Sequence, residues 1–419
     1  MLQLASIKIL FAVRHLASVQ SPTHWQLHIA ICFMLGTLLF HRGLDATAQM
    51  NAAGKLLSTG DLADQRTGLS EGFDRGGHNP SASDSADELS LFEESRQLMG
   101  VVFTIKGYCE DVETAQLAFE DAFAQIKRIE KLFSDYDPNS HINQLFDTGD
   151  SVEYVPLCEE LAPLFQRSHE IAQATDNAFD YALGNLTRLW RKARHEKRLP
   201  SPEETHAAKQ SSGLLQIEYD PATKMLKILN PAVRFDFGGI GKGYAADVAL
   251  STLRHRGVTR ALINAAGDLS IGDPPPNSDG WKIGFRATPS PRKQPLAHLK
   301  LANCGIATSG DEFHFVLIDG KRYSHIIDPQ TGLGMLGHRQ VTVIAKDGTT
   351  ADALASAMNV LDPHKIETII ERFPGTMIYV WSAVDPAEEN FDANIEIDTD
   401  TNGGYRLYRS TLFPTIFRE

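Results

Sequence analysis

Residues 235–247 read FDFGGIGKGYAAD, four glycines and a lysine between a short apolar run and one with helical spacing. Glycines leading into a lysine suggest a backbone cradle for phosphate. A P-loop requires Gly, four residues, then Gly-Lys-Ser/Thr. Here Gly243 follows Gly241-Lys242, and Asp236 stands in the first glycine's place. The dinucleotide fingerprint G-x-G-x-x-G, started at Gly239 and Gly241, meets Tyr244 where its third glycine belongs. The stretch therefore serves another kind of phosphate site, or is a tight turn. A helix is expected over 244–256, so its positive end and free N–H groups lie beside the glycines and favour a pyrophosphate there.

Outward from this stretch, strands and helices mix without regular βαβ alternation, so the expected class is α+β (mixed α/β), with mixed sheets and flanking helices. MGVVFTIKGY from Met99 reads as a strand, and VETAQLAFEDAFAQIKRIEKLF (112–133) as an amphipathic helix. Helices follow near 157–175 and 183–197, and a hairpin surrounds Pro221-Ala222. Downstream come RALINAAG as a strand, short strands through 297–327, VTVIAK as a strand and TADALASAMNVL as a helix. YRLYRSTLF is a final strand.

Lys8 and Arg14 precede an apolar run, Leu27 to Phe40, followed by Ala46-Thr47-Ala48. That order fits a secretory signal peptide over 1–48, the run being short for a span of roughly 20 residues; an uncleaved anchor is the alternative. Residues 49–96, rich in Gly, Ser, Asp and Asn, read as a disordered linker. The expected domain covers 97–384, with a C-terminal extension over 385–419. The net charge of −13 argues against a nucleic-acid binder. Cys109, Cys158 and Cys304 match no zinc or C-x-x-C spacing.

Asp352 and Ser356 in TADALASAM are spaced i, i+4, so their oxygens share one helix face. A carboxylate and a hydroxyl without thiol or imidazole suit a hard cation such as Mg²⁺. A helix cap at Asp352 and a packing role for Ser356 are the other reading. Lys242 is either a charge beside phosphate or a solvated lysine. His325, in SHIID, is either a partly buried strand residue or a base.

Four islands carry a resemblance: the opening stretch, NAFDYALGNLTRLW (177–190), ATSGDEFHFVLIDGKRYSHIIDPQTG (307–332) and TADALASAM (350–358). With INAAGD, they resemble, in order, the motif blocks of the ApbE family, periplasmic FAD:protein FMN transferases, over about residues 97–382. The resemblance implies a Mg²⁺-dependent transfer of FMN from FAD to a Thr or Ser hydroxyl of an acceptor protein, releasing AMP. The acceptor is often a membrane redox subunit, and the enzyme is exported to the periplasm or the outer face of the inner membrane. It also implies that Asp352, Ser356 and the backbone oxygen of Gly239 bind the metal. His325 is then the general base, with Asp328 orienting it or serving in its place. Contacts to FAD are implied for Met99, Tyr136, Ala178, Phe179, Asp180, Asp236, Lys242, Thr308, Ser309, Asp311 and His325. Three departures stand out: Ala266 where glycine is usual, Tyr181 to Asn185 without the family's Thr and Pro, and Leu333-Gly334-Met335 after DPQTG. An FAD pyrophosphatase and a non-catalytic FAD-binding protein are the competing functions.

Overall fold

The computed structural model describes residues 89–146, 153–286, 297–311, 314–383, 396–398, 405–410 and 412–414. The expected signal peptide and the linker up to residue 88 lie outside the described residues. The first described element, β1 (Ser90–Leu98), pairs antiparallel with β2 (Val101–Cys109) across a two-residue turn. Met99 and Gly100 make that turn with φ of 50° and 73°, the left-handed pair that a tight hairpin needs. The sheet thus begins before the boundary expected at residue 97. SLFEESRQL is an edge strand with alternate residues exposed and three charged residues, so its composition resembles that of the polar segment before it.

The chain continues through α1 (Val112–Phe133), α2 (His141–Gln144), β3 (Val155–Pro156), α3 (Ala162–Ala174), α4 (Gly184–Glu196) and α5 (Pro202–Gln210). Next come β4 (Ile217–Asp220), β5 (Met225–Ile228), α6 (Gly241–His255), β6 (Ala261–Ala265), β7 (Asp268–Ile271), β8 (Trp281–Phe285), β9 (Ala297–Leu301) and β10 (Cys304–Gly310). Then follow β11 (Phe315–Ile318), β12 (Lys321–Ile327), β13 (Gly334–Leu336), β14 (Arg339–Ala345), α7 (Gly348–Val360), α8 (Pro363–Ile370), β15 (Met377–Ala383), β16 (Glu396–Asp398) and β17 (Tyr405–Arg409).

Nine strands form the main sheet in the order β1-β2-β6-β7-β10-β14-β15-β17-β16. The α+β class is as expected, and each described ladder is antiparallel where mixed sheets were expected. Its central strands are buried on both faces, which is why VTVIA reads as a continuous apolar run. Val341, Val343 and Ala345 face the core shared with α1, α6 and α7. Ile344 points the other way, with Trp281, Ile283 and Leu299 of the two-stranded β8–β9 layer. A smaller unit packs Val316, Ile318, Tyr323 and Ile327 of the β11-β12-β13 sheet on Leu186, Trp190 and Ala193 of α4. β17 joins β15, so the extension after residue 384 supplies a strand of the main sheet. Among the described residues no helix is long and apolar enough to cross a membrane.

α6 begins at Gly241, inside the glycine stretch and earlier than expected. Gly243 explains why. A β-carbon there would overlap the carbonyl of Gly348 and come within 2.9 Å of Asp352 Cβ. Its missing side chain lets the first turns of α6 and α7 touch. Ala266 is different: it is exposed, with φ of 52°, in the β6–β7 turn that joins Ala265 to Asp268. Its methyl is exposed, so the departure from glycine acts through backbone strain.

Two substitutions separate these effects. Ala266→Gly should raise stability by up to about 1 kcal/mol by removing left-handed strain. Gly243→Ala should lower it by about 3 kcal/mol, at the upper end for overpacking. Urea unfolding midpoints check both.

Candidate active site

Two helix amino ends meet here, and each receives a carboxylate from the other helix. Asp352, in the second turn of α7, accepts the Gly243 N–H of α6 on Oδ2 at 3.0 Å. Asp247, from α6, accepts the N–H groups of Gly348 and Thr349 at 2.9 and 2.8 Å. It is held in turn by Ser270 Oγ at 2.6 Å. The cap of α7 is Asp347, which accepts from Thr350 N at 2.6 Å, so Asp352 is free of the capping role that spacing alone allowed. A correction follows for the glycine stretch. The positive end of α6 already faces the Asp352 carboxylate, and Gly243 serves helix contact.

Lys242 closes the junction, with its ammonium paired to Asp268 and lying 3.9 Å from Asp352 Oδ1. Burial disfavours that charge, but the carboxylates of Asp352 and Asp268 outweigh it and hold the pKa above the usual lysine value. Burial raises the Asp352 carboxyl, Lys242 opposes the rise and Asp268 adds to it. Asp268 also accepts from Thr308 N at 3.2 Å. One turn beyond Asp352, Ser356 Oγ lies 3.0 Å from where a β-carbon on Gly239 would stand, and 3.4 Å from Ser309 Oγ. The hydroxyls of Ser356 and Ser309 thus lie beside Gly239, one helical turn from the Asp352 carboxylate. These are hard oxygen donors, suited to Mg²⁺. Among the described residues no group of three or more His, Cys, Asp or Glu side chains is placed to hold a metal.

His325 lies on β12, half-buried. Its backbone N–H donates to the His314 carbonyl at 3.0 Å, and Nδ1 lies 3.1 Å from the same oxygen. A carbonyl only accepts, so Nδ1 carries the hydrogen and Nε2 keeps its lone pair. Burial, then His314, lowers the imidazole pKa to about 4, with Arg194 and Lys242 adding to the effect against the hydrogen bond to His314. Asp328 does not orient this ring. Its Oδ1 accepts from Gln330 N at 2.8 Å and braces the DPQTG turn, so its catalytic assignment gives way to the carbonyl of His314.

At the other end of the glycine stretch, Asp236 accepts from Gly238 N at 2.8 Å. Arg191 of α4 lies 3.7 Å from Asp236, pairs with Asp135, and lays its guanidinium 4.1 Å from the centroid of the exposed Tyr136 ring. Met99, carried in by its hairpin turn, lies with Cε 3.6 Å from the β-carbon position of Gly241. Phe179 sits 3.5 Å from that of Gly239. Ala178 and Phe179 wind back on Thr175, whose hydroxyl accepts from Phe179 N at 3.2 Å. Asp180 accepts from Ala182 N and Leu214 N, and burial pushes its pKa up to about 6.

Asp352, Ser356, Ser309, Lys242, Phe179 and Met99 lie around the glycine stretch and α7, while Asp311 and Thr308 have structural partners of their own. Asp311 is buried, pairs with Arg322 and accepts from Arg339 N at 3.2 Å. It braces the turn, and its assignment as a cleft contact gives way to that role. Thr308 bonds Thr342 Oγ1 at 2.9 Å in addition to its N–H bond to Asp268. Sequence reasoning missed Asp268, Asp247, His314 and the arginines of α4. Asp268 stood in the INAAGDL block, and Asp247 closed the opening stretch itself. A cavity of about 470 Å³ borders the junction on the side of Asp247, Asp347 and Thr349, lined also by Arg167, Tyr244 and Lys346 among others. None of the expected site residues lines it.

The sequence model of the ApbE family matches residues 99–381. The FAD:protein FMN transferase of Escherichia coli K12 is 30% identical over 263 residues, covering 61% of this chain and 74% of its own. The apo flavinyl transferase ApbE of Pseudomonas stutzeri superposes with a TM-score of 0.64 at 25% identity, over 77% of this chain and 95% of its own. The ApbE protein of Thermotoga maritima gives 0.62 at 31% identity, over 70% and 94%.

The environment of His325 sets a pH dependence of stability. Between about pH 4 and the unfolded value of about 6.5, the unfolded chain binds a proton that the folded imidazole does not. Stability is therefore lost as pH falls through that window, by less than about 1.4 kcal/mol per unit for a partly solvated ring. His325→Gln should flatten this slope in urea unfolding measured from pH 7 to pH 4.

Proposed function

The chain belongs to the ApbE family, and we propose that it is a transferase that moves FMN from FAD onto a Thr or Ser hydroxyl of an acceptor protein, releasing AMP. The observation that carries this reading is the junction itself. Asp352 and Ser356 come from α7 to a glycine stretch more than a hundred residues earlier, Asp352 at Gly243 and Lys242 and Ser356 beside Gly239. In this reading Asp352, Ser356 and the backbone oxygen of Gly239 would hold Mg²⁺, which when bound withdraws charge from the pyrophosphate. Lys242 holds positive charge at the same edge, while Asp268 keeps its ammonium in place.

His325 accepts the proton of the acceptor hydroxyl at Nε2, because its Nδ1–H is committed to the His314 carbonyl. The hydroxyl oxygen forms a bond to the FMN phosphorus as the bond from that phosphorus to the AMP oxygen breaks. Phosphate oxygens brought near His325 offset the positive neighbours that depress its pKa, so substrate moves the base toward a working value. Tyr136, Asp236, Met99 and the Ala178–Asp180 segment hold the flavin nucleotide in this reading, with Arg191 fixing the positions of Tyr136 and Asp236. Export by the N-terminal apolar run, with acceptors on the outer face of the inner membrane, belongs to the same proposal.

Incubation with FAD, Mg²⁺ and a Thr-bearing acceptor peptide should add the mass of one FMN to the peptide. Free FMN and AMP with unmodified peptide would mark a pyrophosphatase, and FAD retained intact would mark a binding protein. Asp352→Ala should reduce transfer by at least about 100-fold and Ser356→Ala by about 10-fold, with Ser356→Thr retaining it. Transfer by Asp352→Ala at the wild-type rate under metal chelation would rule out this metal site.

A further inference from the structure

Arg194 stands on α4 one turn beyond Arg191, half-buried. Arg191 pairs with Asp135, Arg322 with Asp311 and Arg167 with Glu170. Arg194 makes no hydrogen bond and no ion pair among the described residues. Its electrostatic neighbours are Tyr136, the like charge of Arg191, and His325. Burial and Arg191 both act against its charge. A half-buried guanidinium without an anion is less favourable than a paired one, and in a chain of net charge −13 there is no shortage of carboxylates to pair with it. The cation is therefore kept free beside Tyr136 and His325, where Ala193 of the same helix packs with Tyr323 of the strand that carries His325.

We propose that Arg194 is a further catalytic residue that binds the non-bridging oxygens of the phosphate attacked beside His325. This rests on the transfer reading above. A planar guanidinium can grip two phosphate oxygens at once, which fixes the phosphorus in line with the incoming hydroxyl. It also screens the negative charge that would repel that oxygen. The bond changes are those of the transfer step: the new O–P bond forms, the P–O bond to AMP breaks, and the hydroxyl proton goes to His325. Arg194 gains and loses no proton throughout.

FMN and riboflavin differ by one phosphate and serve as the probes. Binding of each, with Mg²⁺ present, is followed by flavin fluorescence for the wild-type protein and the Arg194→Ala, Arg194→Gln and Arg194→Lys variants. FMN affinity should fall at least 10-fold in the Ala and Gln variants and recover in part with Lys, while riboflavin affinity stays within two-fold. With FAD and acceptor peptide, kcat should fall by about 100-fold in the same two variants. Unchanged FMN affinity and kcat in both variants would overturn the assignment, as would equal losses for FMN and riboflavin. If the wild-type protein splits FAD with water or only binds it, the transfer reading fails, and the FMN–riboflavin difference still decides the role of Arg194.

Discussion

The exchange of carboxylates between α6 and α7 is the constraint on which the rest of the site depends. Asp352 answers the first turn of α6, and Asp247 answers the first turn of α7. Each helix thus neutralises the positive end of the other, and both sets of orphan N–H groups find partners without a side-chain cap on α6. The contact is possible because Gly243 and Gly348 present no side chains to each other. Neither helix can shift along the other without breaking bonds at both ends. The distance between Gly239 and Ser356 is therefore set by backbone packing, and does not rely on a long flexible side chain.

That rigidity accounts for the position of Lys242. A lysine this enclosed needs opposite charge, and Asp268 and Asp352 supply it from β7 and α7. Asp268 in turn binds the Thr308 N–H of β10, so the charge network runs through the sheet as well as across the helices. The site is built where α6 and α7 meet β7 and β10 of the main sheet, while His325 belongs to the smaller β11-β12-β13 sheet. Trp190 of α4 fastens that smaller sheet by donating its indole N–H to the Gly332 carbonyl at 2.9 Å. α4 thus carries the packing contact on one face and Arg191 and Arg194 on another.

Much of this was legible before any coordinates. The long helix 112–133 declared itself by apolar residues three and four apart, and β14 by its continuous apolar run, because local burial patterns write directly into sequence. Asp352 and Ser356 were legible as a pair since helical spacing alone puts them on one face. The edge strand β1 was not, because one solvated side and three charged residues make it look like linker. Nor was the orienting partner of His325, a backbone carbonyl that any residue type could have supplied. Asp328 looked the better partner because it carries a carboxylate nearby in sequence, yet its own turn consumes it. The arginines of α4 were passed over for a similar reason: a basic helix face usually means solvent, and only the fold turns it toward Tyr136 and His325.

The electrostatics of His325 pose a question that the fold answers in part. A base works best when its pKa lies near the operating pH, and a value of about 4 leaves the imidazole free of its proton but weakly basic. The depression comes first from burial and then from positive or potentially positive neighbours: His314, Arg194 and Lys242. Burial is a fixed property of the site, whereas the charge terms depend on what else is bound. A dinucleotide diphosphate placed among Arg194 and Lys242 would cancel much of their repulsion and add an attraction for imidazolium. In the proposed reaction the same cations that weaken the base in the free protein would recruit the ligand that restores it, so that proton removal would be tied to the presence of the group to be transferred.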